Sequence, residues 1–542
     1  MRSFASTYKY YLLLAFTLLL AEFIVNPIGN FPLNDDWTYG KSVLIFDKEG
    51  TLTTGEFAAM SLLTHILWGG LFTKVFGFSF TILRISTLLS SLIGVFTLNK
   101  LIVSISGNRI TGFVACLVLL FNPLYFNLGN TFMTDVNFNT LLVVSCYFGY
   151  DYFKTRNKIS FVLVFIMSAL LVLIRQFGII VPMCFTLTCF IIKDKRWLNV
   201  GMAILCTGVV YGLFKYYESY LQGVLSPGAA YKFSGNVSIT SSKFWDIFFY
   251  NWELRYKKIA LHVLIYTFPF TLFFLNDILK SLKPLLVVVI AVASILLVHY
   301  GFRNENFMIG NVFTNTSLGA ETFYETLTPA VKDYPQHTFT ISFEGALVFV
   351  KYLFGTLSLF VLIALVIRLI SETRNPLKRE PVFFFFFSLF FAYAFLILIT
   401  ESYFDRYHIP LISLAIILFS FISKRFEGNY RLILLPLMLF VYVSVFGTKD
   451  YLQINALRWQ AYNTLVKEEK VEHTKINGGF EVNCWNEGEY NWWADFITLE
   501  NFDYLIQYRE QPGFKVYKTY EFQRYFPYKK DEIKVLIKEV KE

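Results

Sequence analysis

The run Tyr8-Lys-Tyr-Tyr-Leu-Leu-Leu-Ala-Phe-Thr-Leu-Leu-Leu-Ala-Glu-Phe-Ile-Val25 is followed almost at once by Phe31-Pro-Leu-Asn-Asp-Asp-Trp-Thr-Tyr-Gly40. The first stretch is apolar and long enough to cross a hydrocarbon core at about 1.5 Å per residue. It starts on the basic residues Arg2 and Lys9 but lacks a small-residue cleavage site, so a retained anchor is expected. The second stretch places two adjacent carboxylates, Asp35 and Asp36, beside Trp37 and Tyr39, between a Pro and a Gly that suit a loop giving way to a short helix. A base working at a membrane surface must stay in water while an apolar substrate stays in lipid. Two acids just outside a first span meet that need. The same residues would also serve as a helix cap, Asn34 or Asp35 accepting the first backbone N–H groups.

Composition extends the membrane reading to most of the chain. Hydrophobic residues make up 55% of the 542 and charged residues 16%, with 61 Phe, whereas a soluble domain carries about a quarter charged residues. Apolar runs recur from Tyr8 to Phe446. The net charge of +9 then reads first as a topology signal. With no Gly-rich phosphate loop and no basic–aromatic stripe, no nucleic-acid partner is expected. Five cysteines (Cys116, Cys146, Cys184, Cys189 and Cys206) lie in apolar runs and Cys484 in a polar one, in no zinc or disulfide spacing.

The expected fold is an α-helical polytopic membrane protein with about 13 transmembrane helices, near 8–28, 81–103, 110–126, 136–153, 159–175, 178–192, 197–216, 259–275, 284–300, 346–370, 382–400, 409–423 and 431–446. Basic residues fall in every second loop: Lys100 and Arg109; Lys154, Arg156 and Lys158; Lys193, Lys195 and Arg196; Lys280 and Lys283; Arg368 to Arg379; Lys424 to Arg431. Such loops are cytoplasmic by the positive-inside rule. The amino terminus is then inside, and the long connections 29–80, 217–258, 301–345 and the tail lie outside. Within 29–80, Glu56 to Phe76 reads as a helix in the interface plane, interrupted by Gly69-Gly70. Residues 1–446 form the transmembrane unit. Residues 447–542 form a small extracytoplasmic α/β appendage with a helix over Trp459–Lys470, a short strand and turn over Lys475–Gly479, and strands over Phe502–Tyr508 and Gly513–Tyr520.

Further ionisable residues gather at outer span ends, where charge beside lipid is expensive unless it functions or finds a partner. Asp135, in Gly129-Asn-Thr-Phe-Met-Thr-Asp-Val136, opens the fourth span; Thr134 or Asp135 would also suit an N-cap. Arg175, before Gln176-Phe-Gly178, occupies a tight outer turn from which it would snorkel or bind an anion. Glu401, Asp405, Arg406 and His408 cluster in Thr400-Glu-Ser-Tyr-Phe-Asp-Arg-Tyr-His-Ile-Pro410, where an Asp–Arg pair would tie the loop down or bind a ligand. Arginine forks suit a phosphate. Arg303, the Lys257-Lys258 pair, His262 and His299 lie near other span ends. A divalent metal is neither required nor excluded by these residues.

Together, Asn34-Asp-Asp-Trp37, Phe132-Met-Thr-Asp135-Val136 and Arg175-Gln-Phe-Gly178 resemble the polyprenyl-phosphate-dependent membrane glycosyltransferases of the GT-C class. That class includes protein O-mannosyltransferases, lipid A aminoarabinose transferases and rhizobial galacturonosyltransferases. Asp405-Arg-Tyr-His-Ile-Pro410 and Ile476-Asn-Gly-Gly-Phe480 are similar to later segments of these chains, in the same order. One departure is Asn137-Phe138, where relatives often carry a Pro. The resemblance implies a sugar moved from a polyprenyl phosphate to a glycan, lipid or protein hydroxyl in the bacterial cell envelope, as in lipopolysaccharide modification. It implies inversion at the anomeric carbon, a catalytic base at Asp35 or Asp36, and a second acid at Asp135. Arg175, Arg406, Arg303, Lys257 and Lys258 are the candidates for the donor phosphate, with Asp405, His408 and Glu401 as further candidates. The competing reading is a transporter or flippase of lipid-linked sugars, but that would place its charges at mid-bilayer on broken helices.

Overall fold

The computed structural model describes residues 2–55, 58, 60–191, 197–225, 242–305, 311–313, 318–320, 341–372, 381–400, 403–424, 426–487 and 501–539. The chain is an α-helical polytopic membrane protein. Eight described helices are long and apolar enough to cross a membrane, or nine if one bent pair counts as a span. The expected count of about 13 is not reproduced, and the difference falls on four segments. The run near 136–153 is α7 (Thr134–Thr155), whose first two turns bury Thr134, Asp135, Asn137, Asn139 and Thr140. Those near 159–175 and 178–192 are short helices, Lys158–Val172 and Gln176–Ile191. At about 1.5 Å per residue neither reaches across a core of about 30 Å. The run near 259–275 is divided between the ends of Ser242–Tyr266 and Phe268–Leu272.

Local chemistry fixes the helix ends that matter for the site. α1 (Arg2–Val25) leads into the first loop, and α2 (Asp36–Glu49) stops at Gly50, whose φ of 71° is the left-handed region glycine tolerates best. α3 (Leu63–Phe76) runs unbroken through Gly69 and Gly70. There the glycines serve packing: a Cβ on Gly69 would lie 2.5 Å from the Phe132 ring. α4 (Phe80–Ser106) is capped by Ser79, whose side chain accepts from the Ile82 N–H. α5 (Arg109–Leu120) and α6 (Pro123–Gly129) meet at 68°. Pro123 pushes Asn122 out of helical geometry, and the Asn122 side chain accepts from the N–H groups of Leu124 and Tyr125.

One apolar core runs through the bundle, with α4 packed on α5 and α7, and α1 on the long helix Tyr430–Asn463. That helix crosses the boundary expected at residue 446 without a break, changing from apolar burial at Phe440 and Val443 to polar burial at Asp450, Asn455 and Arg458. It carries the four-stranded sheet in the order β1-β2-β4-β3, with β1 (Ile476–Asn477), β2 (Tyr504–Gln507), β3 (Phe514–Tyr525) and β4 (Tyr528–Lys538). β1 pairs with β2 in parallel, and the other pairs are antiparallel. The Asp450 carboxylate accepts the N–H groups of Tyr525 (2.9 Å) and Phe526 (2.6 Å), docking the β3–β4 hairpin on the helix. At the far end of the bundle, Asn108 donates to the carbonyl of Glu427 (3.4 Å), joining two of the basic loops.

Candidate active site

The first loop is pinned before it reaches its acids. Arg84, buried on α4, donates to the carbonyls of Pro27 (3.1 Å), Gly29 (2.8 Å) and Phe31, and its guanidinium packs against the Phe31 ring. The Thr81 hydroxyl accepts from the Gly29 N–H, and Asn30 accepts from that of Phe80. Asn34 then turns left-handed at φ 55°, a conformation Asn tolerates. Its N–H is taken by Glu481 (2.9 Å), and its side-chain amide donates to Asn311 (3.0 Å).

This geometry separates the adjacent acids. Asp36 is fully buried, with one oxygen accepting the Leu33 N–H and the other the Phe132 N–H at 3.1 Å. Burial pushes its carboxyl up to about 8, against the pull of Arg84 and of those two N–H groups. Asp36 therefore fastens the first loop to the start of α7. Asp35 occupies the N-cap position of α2 but makes no side-chain cap bond. It meets Arg406 at 3.0 Å, with 13% of its side chain exposed.

Asp135 and Arg175 form the second pair at 2.9 Å, and Arg175 Nε also donates to the Thr134 hydroxyl (2.8 Å). Met133 holds the N-cap position of α7, so Thr134 and Asp135 lie inside the helix and do not cap it. The two guanidinium carbons stand 5.7 Å (Arg175) and 5.9 Å (Arg406) from the centre of the same Tyr407 ring. The structure thus brings together Asp35, Asp135, Arg175 and Arg406 from four separate segments, with formal charges that cancel. Buried charges normally fill their hydrogen-bonding positions. Here Asp135 Oδ2, Arg175 Nη2 and Arg406 Nε are buried without a hydrogen-bond partner among the described residues.

His65 steadies the α7 side. Its ring stacks on Phe132 at 4.1 Å and bonds the Phe132 carbonyl (3.0 Å) and the Asn137 amide (2.8 Å). Burial, with Arg175 adding to it, depresses this imidazole to about 4. In the neutral ring Nε2–H donates to the carbonyl and Nδ1 accepts from Asn137.

The other sequence candidates stand apart. Asp405 accepts the N–H groups of Val312 (3.1 Å), Phe313 (2.6 Å) and Arg406 (2.8 Å), so it shapes the turn that presents Arg406. His408 stacks on His262 at 4.4 Å and bonds the Tyr403 hydroxyl at 3.0 Å. Arg303 is exposed, and its carbonyl accepts from Lys351 (3.3 Å). Lys257 and Lys258 are half-buried on the helix Ser242–Tyr266. Among the described residues no hydrogen bond or ion pair joins Arg303, Lys257 or Lys258 to the four-charge cluster. Glu401 lies outside the described residues. No group of three or more His, Cys, Asp or Glu side chains that could hold a metal ion occurs among the described residues. Sequence reasoning missed Tyr39 and Tyr407, although both stand inside the motifs that were read; a hydroxyl or ring next to charges gives no periodic signal.

The bundle of apolar helices thus carries converging acids and arginines. The family model described as dolichyl-phosphate-mannose-protein mannosyltransferase matches residues 64–215, a stretch that contains Asp135 and Arg175. Over that stretch the resemblance to membrane glycosyltransferases is shown by the match. Among solved structures, the chain is similar to ArnT from Cupriavidus metallidurans in the apo state, at 10% identity over 98% of each chain and a TM-score of 0.41. It is similar to the same protein bound to undecaprenyl phosphate at 9% identity, again over 98% of each chain and with a TM-score of 0.41. Comparison with curated proteins returns no match.

Proposed function

We propose that the chain is a glycosyltransferase that moves a hexose or pentose from a polyprenyl-phosphate donor to an acceptor hydroxyl on a glycan, lipid or protein. It acts at the extracytoplasmic face of a bacterial cytoplasmic membrane. Residues 1–446 are the catalytic membrane unit and 447–542 its extracytoplasmic appendage. The observation that carries the reading is the convergence of Asp35, Asp135, Arg175 and Arg406 with hydrogen-bonding positions still open. The family match over 64–215 supports it.

Of the adjacent acids, Asp35 is the base, because Asp36 spends both oxygens on backbone N–H groups. The donor phosphate is a monoanion entering a cluster whose charges already cancel, so it binds by exchange. The Arg406 fork turns from Asp35 to a phosphate oxygen, and Arg175 offers Nη2 while keeping Asp135. Asp35, released beside the acceptor, takes the hydroxyl proton as that oxygen forms its bond to the anomeric carbon. The bond from that carbon to the phosphate oxygen breaks, its electron pair staying on the phosphate, which leaves as polyprenyl monophosphate between the two arginines.

The test is release of polyprenyl phosphate by membranes carrying the protein, given a panel of lipid-linked sugars with and without cell-envelope acceptors. Acceptor-dependent release with at least one donor is expected. Release with none of them would overturn the proposal.

A further inference from the structure

Tyr39 stands on the first turn of α2, a few residues beyond Asp35, and is 2% exposed. A buried phenol normally finds a strong acceptor. Among the described residues its hydroxyl has only the Met60 thioether at 3.9 Å, a weak acceptor that the Thr134 hydroxyl also uses at 3.5 Å. The ring packs edge-on against His65, with centres 5.9 Å apart. Burial keeps the phenol protonated. Asp35 and Asp135 reinforce that, while Arg406 and Arg175 oppose it, so all four charged side chains of the cluster act on this hydroxyl. A neutral donor with a placeholder for an acceptor thus shares Met60 with Thr134, which Arg175 Nε holds at 2.8 Å, and both Arg175 and Arg406 keep unfilled N–H positions.

We propose that the Tyr39 hydroxyl donates a hydrogen bond to the departing phosphate, completing with Arg175 and Arg406 a three-donor cradle. This rests on the glycosyl transfer proposed above. The ground-state diester carries one negative charge on its phosphate, and cleavage of the bond to the sugar adds a second. A neutral donor gains most where charge develops, so Tyr39 acts mainly on the transition state and the product, whereas the arginines already hold the diester. No proton leaves the phenol: the acceptor proton goes to Asp35.

The test is Tyr39→Phe, which removes one oxygen and, among the described residues, only a thioether contact. Turnover is expected to fall roughly a hundredfold, the scale for losing one oxyanion donor, with both Michaelis constants and the melting temperature close to wild type. In an Asp35→Asn background, where chemistry is blocked, Tyr39→Phe should weaken binding of a polyprenyl monophosphate about tenfold and leave binding of the sugar diester nearly unchanged. Turnover within about twofold of wild type, or unaltered monophosphate binding, overturns the assignment, as does an effect confined to the acceptor Michaelis constant. If the wild-type protein transfers no sugar, the proposed function fails by itself, and the monophosphate-binding arm still decides whether Tyr39 reads that phosphate.

Discussion

Two buried guanidinium–carboxylate pairs in this protein have almost the same separation and opposite character. Arg458 meets Glu481 at 2.8 Å with both side chains fully buried, and Arg175 meets Asp135 at 2.9 Å at 8% and 2% exposure. The first pair has a closed carboxylate. Glu481 spends its other oxygen on the Asn34 N–H, and Arg458 also donates to Asn455 (2.6 Å) and the Gly478 carbonyl (3.4 Å). The second is open, with an oxygen and a nitrogen left over. Both incur the desolvation penalty of buried charge. Only the second pair leaves a carboxylate oxygen unfilled, so the difference between the two lies in the acid and not in burial or charge.

The contrast breaks most sharply if chemistry does not follow the open cluster. Asp35→Asn is expected to lower turnover per folded molecule by roughly two to four orders of magnitude, the range for a general base, with some loss of melting temperature because the buried Arg406 loses its carboxylate. Turnover near wild type would remove Asp35 as base. The closed pair should respond in the other currency. Arg458→Met leaves Glu481 buried without its cation, which destabilises by roughly 3–5 kcal/mol. Thermal unfolding in detergent would show it, and turnover per folded molecule should hold; a stable but inactive variant would put the closed pair inside the site.

A finer probe is Arg175→Lys. Snorkelling asks only for charge and length, and Lys would serve, whereas a shared fork between Asp135, Thr134 and a phosphate does not survive in an ammonium. The donor Michaelis constant should rise several-fold, on the order of 1 kcal/mol in binding, with membrane insertion intact; unchanged kinetics would reduce Arg175 to an anchor. The smallest effect concerns pH. The Asp36 carboxyl titrates near about 8 when folded against 3.8 ordinarily, so the folded state holds its proton more tightly than the unfolded one. Stability from this group is therefore full at low pH and is lost as pH rises from about 4 through about 8. Melting temperature against pH should flatten over that window in Asp36→Asn.

Much of this was legible in the sequence because it rests on composition or on single-residue chemistry. Apolar runs announced the bundle, and Asp35, Asp135, Arg175 and Arg406 stood out as charges at span ends. What was hidden depended on pairing across long separations. Nothing local distinguishes Asp35 from Asp36; the distinction arises because the Phe132 N–H reaches Asp36 and Arg406 reaches Asp35. Glu481 gave no sign that it would bond Asn34, nor Arg84 that it would gather the carbonyls of the first loop. The span count differs for a related reason: the first turns of α7 bury Asp135, Asn137 and Asn139 beside apolar residues, so the segment's composition falls short of a span although its length does not.

The bond from Glu481 to the backbone of Asn34 joins residues 447 positions apart in the chain. During synthesis the amino-terminal loop with Asp35 emerges first, and Arg406, which pairs with that acid, comes far later. The group that fixes the loop's turn, Glu481, follows later still. Until then Asn34 must satisfy its N–H with water. A ribosome-bound chain already threaded through the membrane would thus hold its acids and arginines without the clasp that sets their spacing. On the proposed function, the assembled site would have to wait for Glu481 to be made.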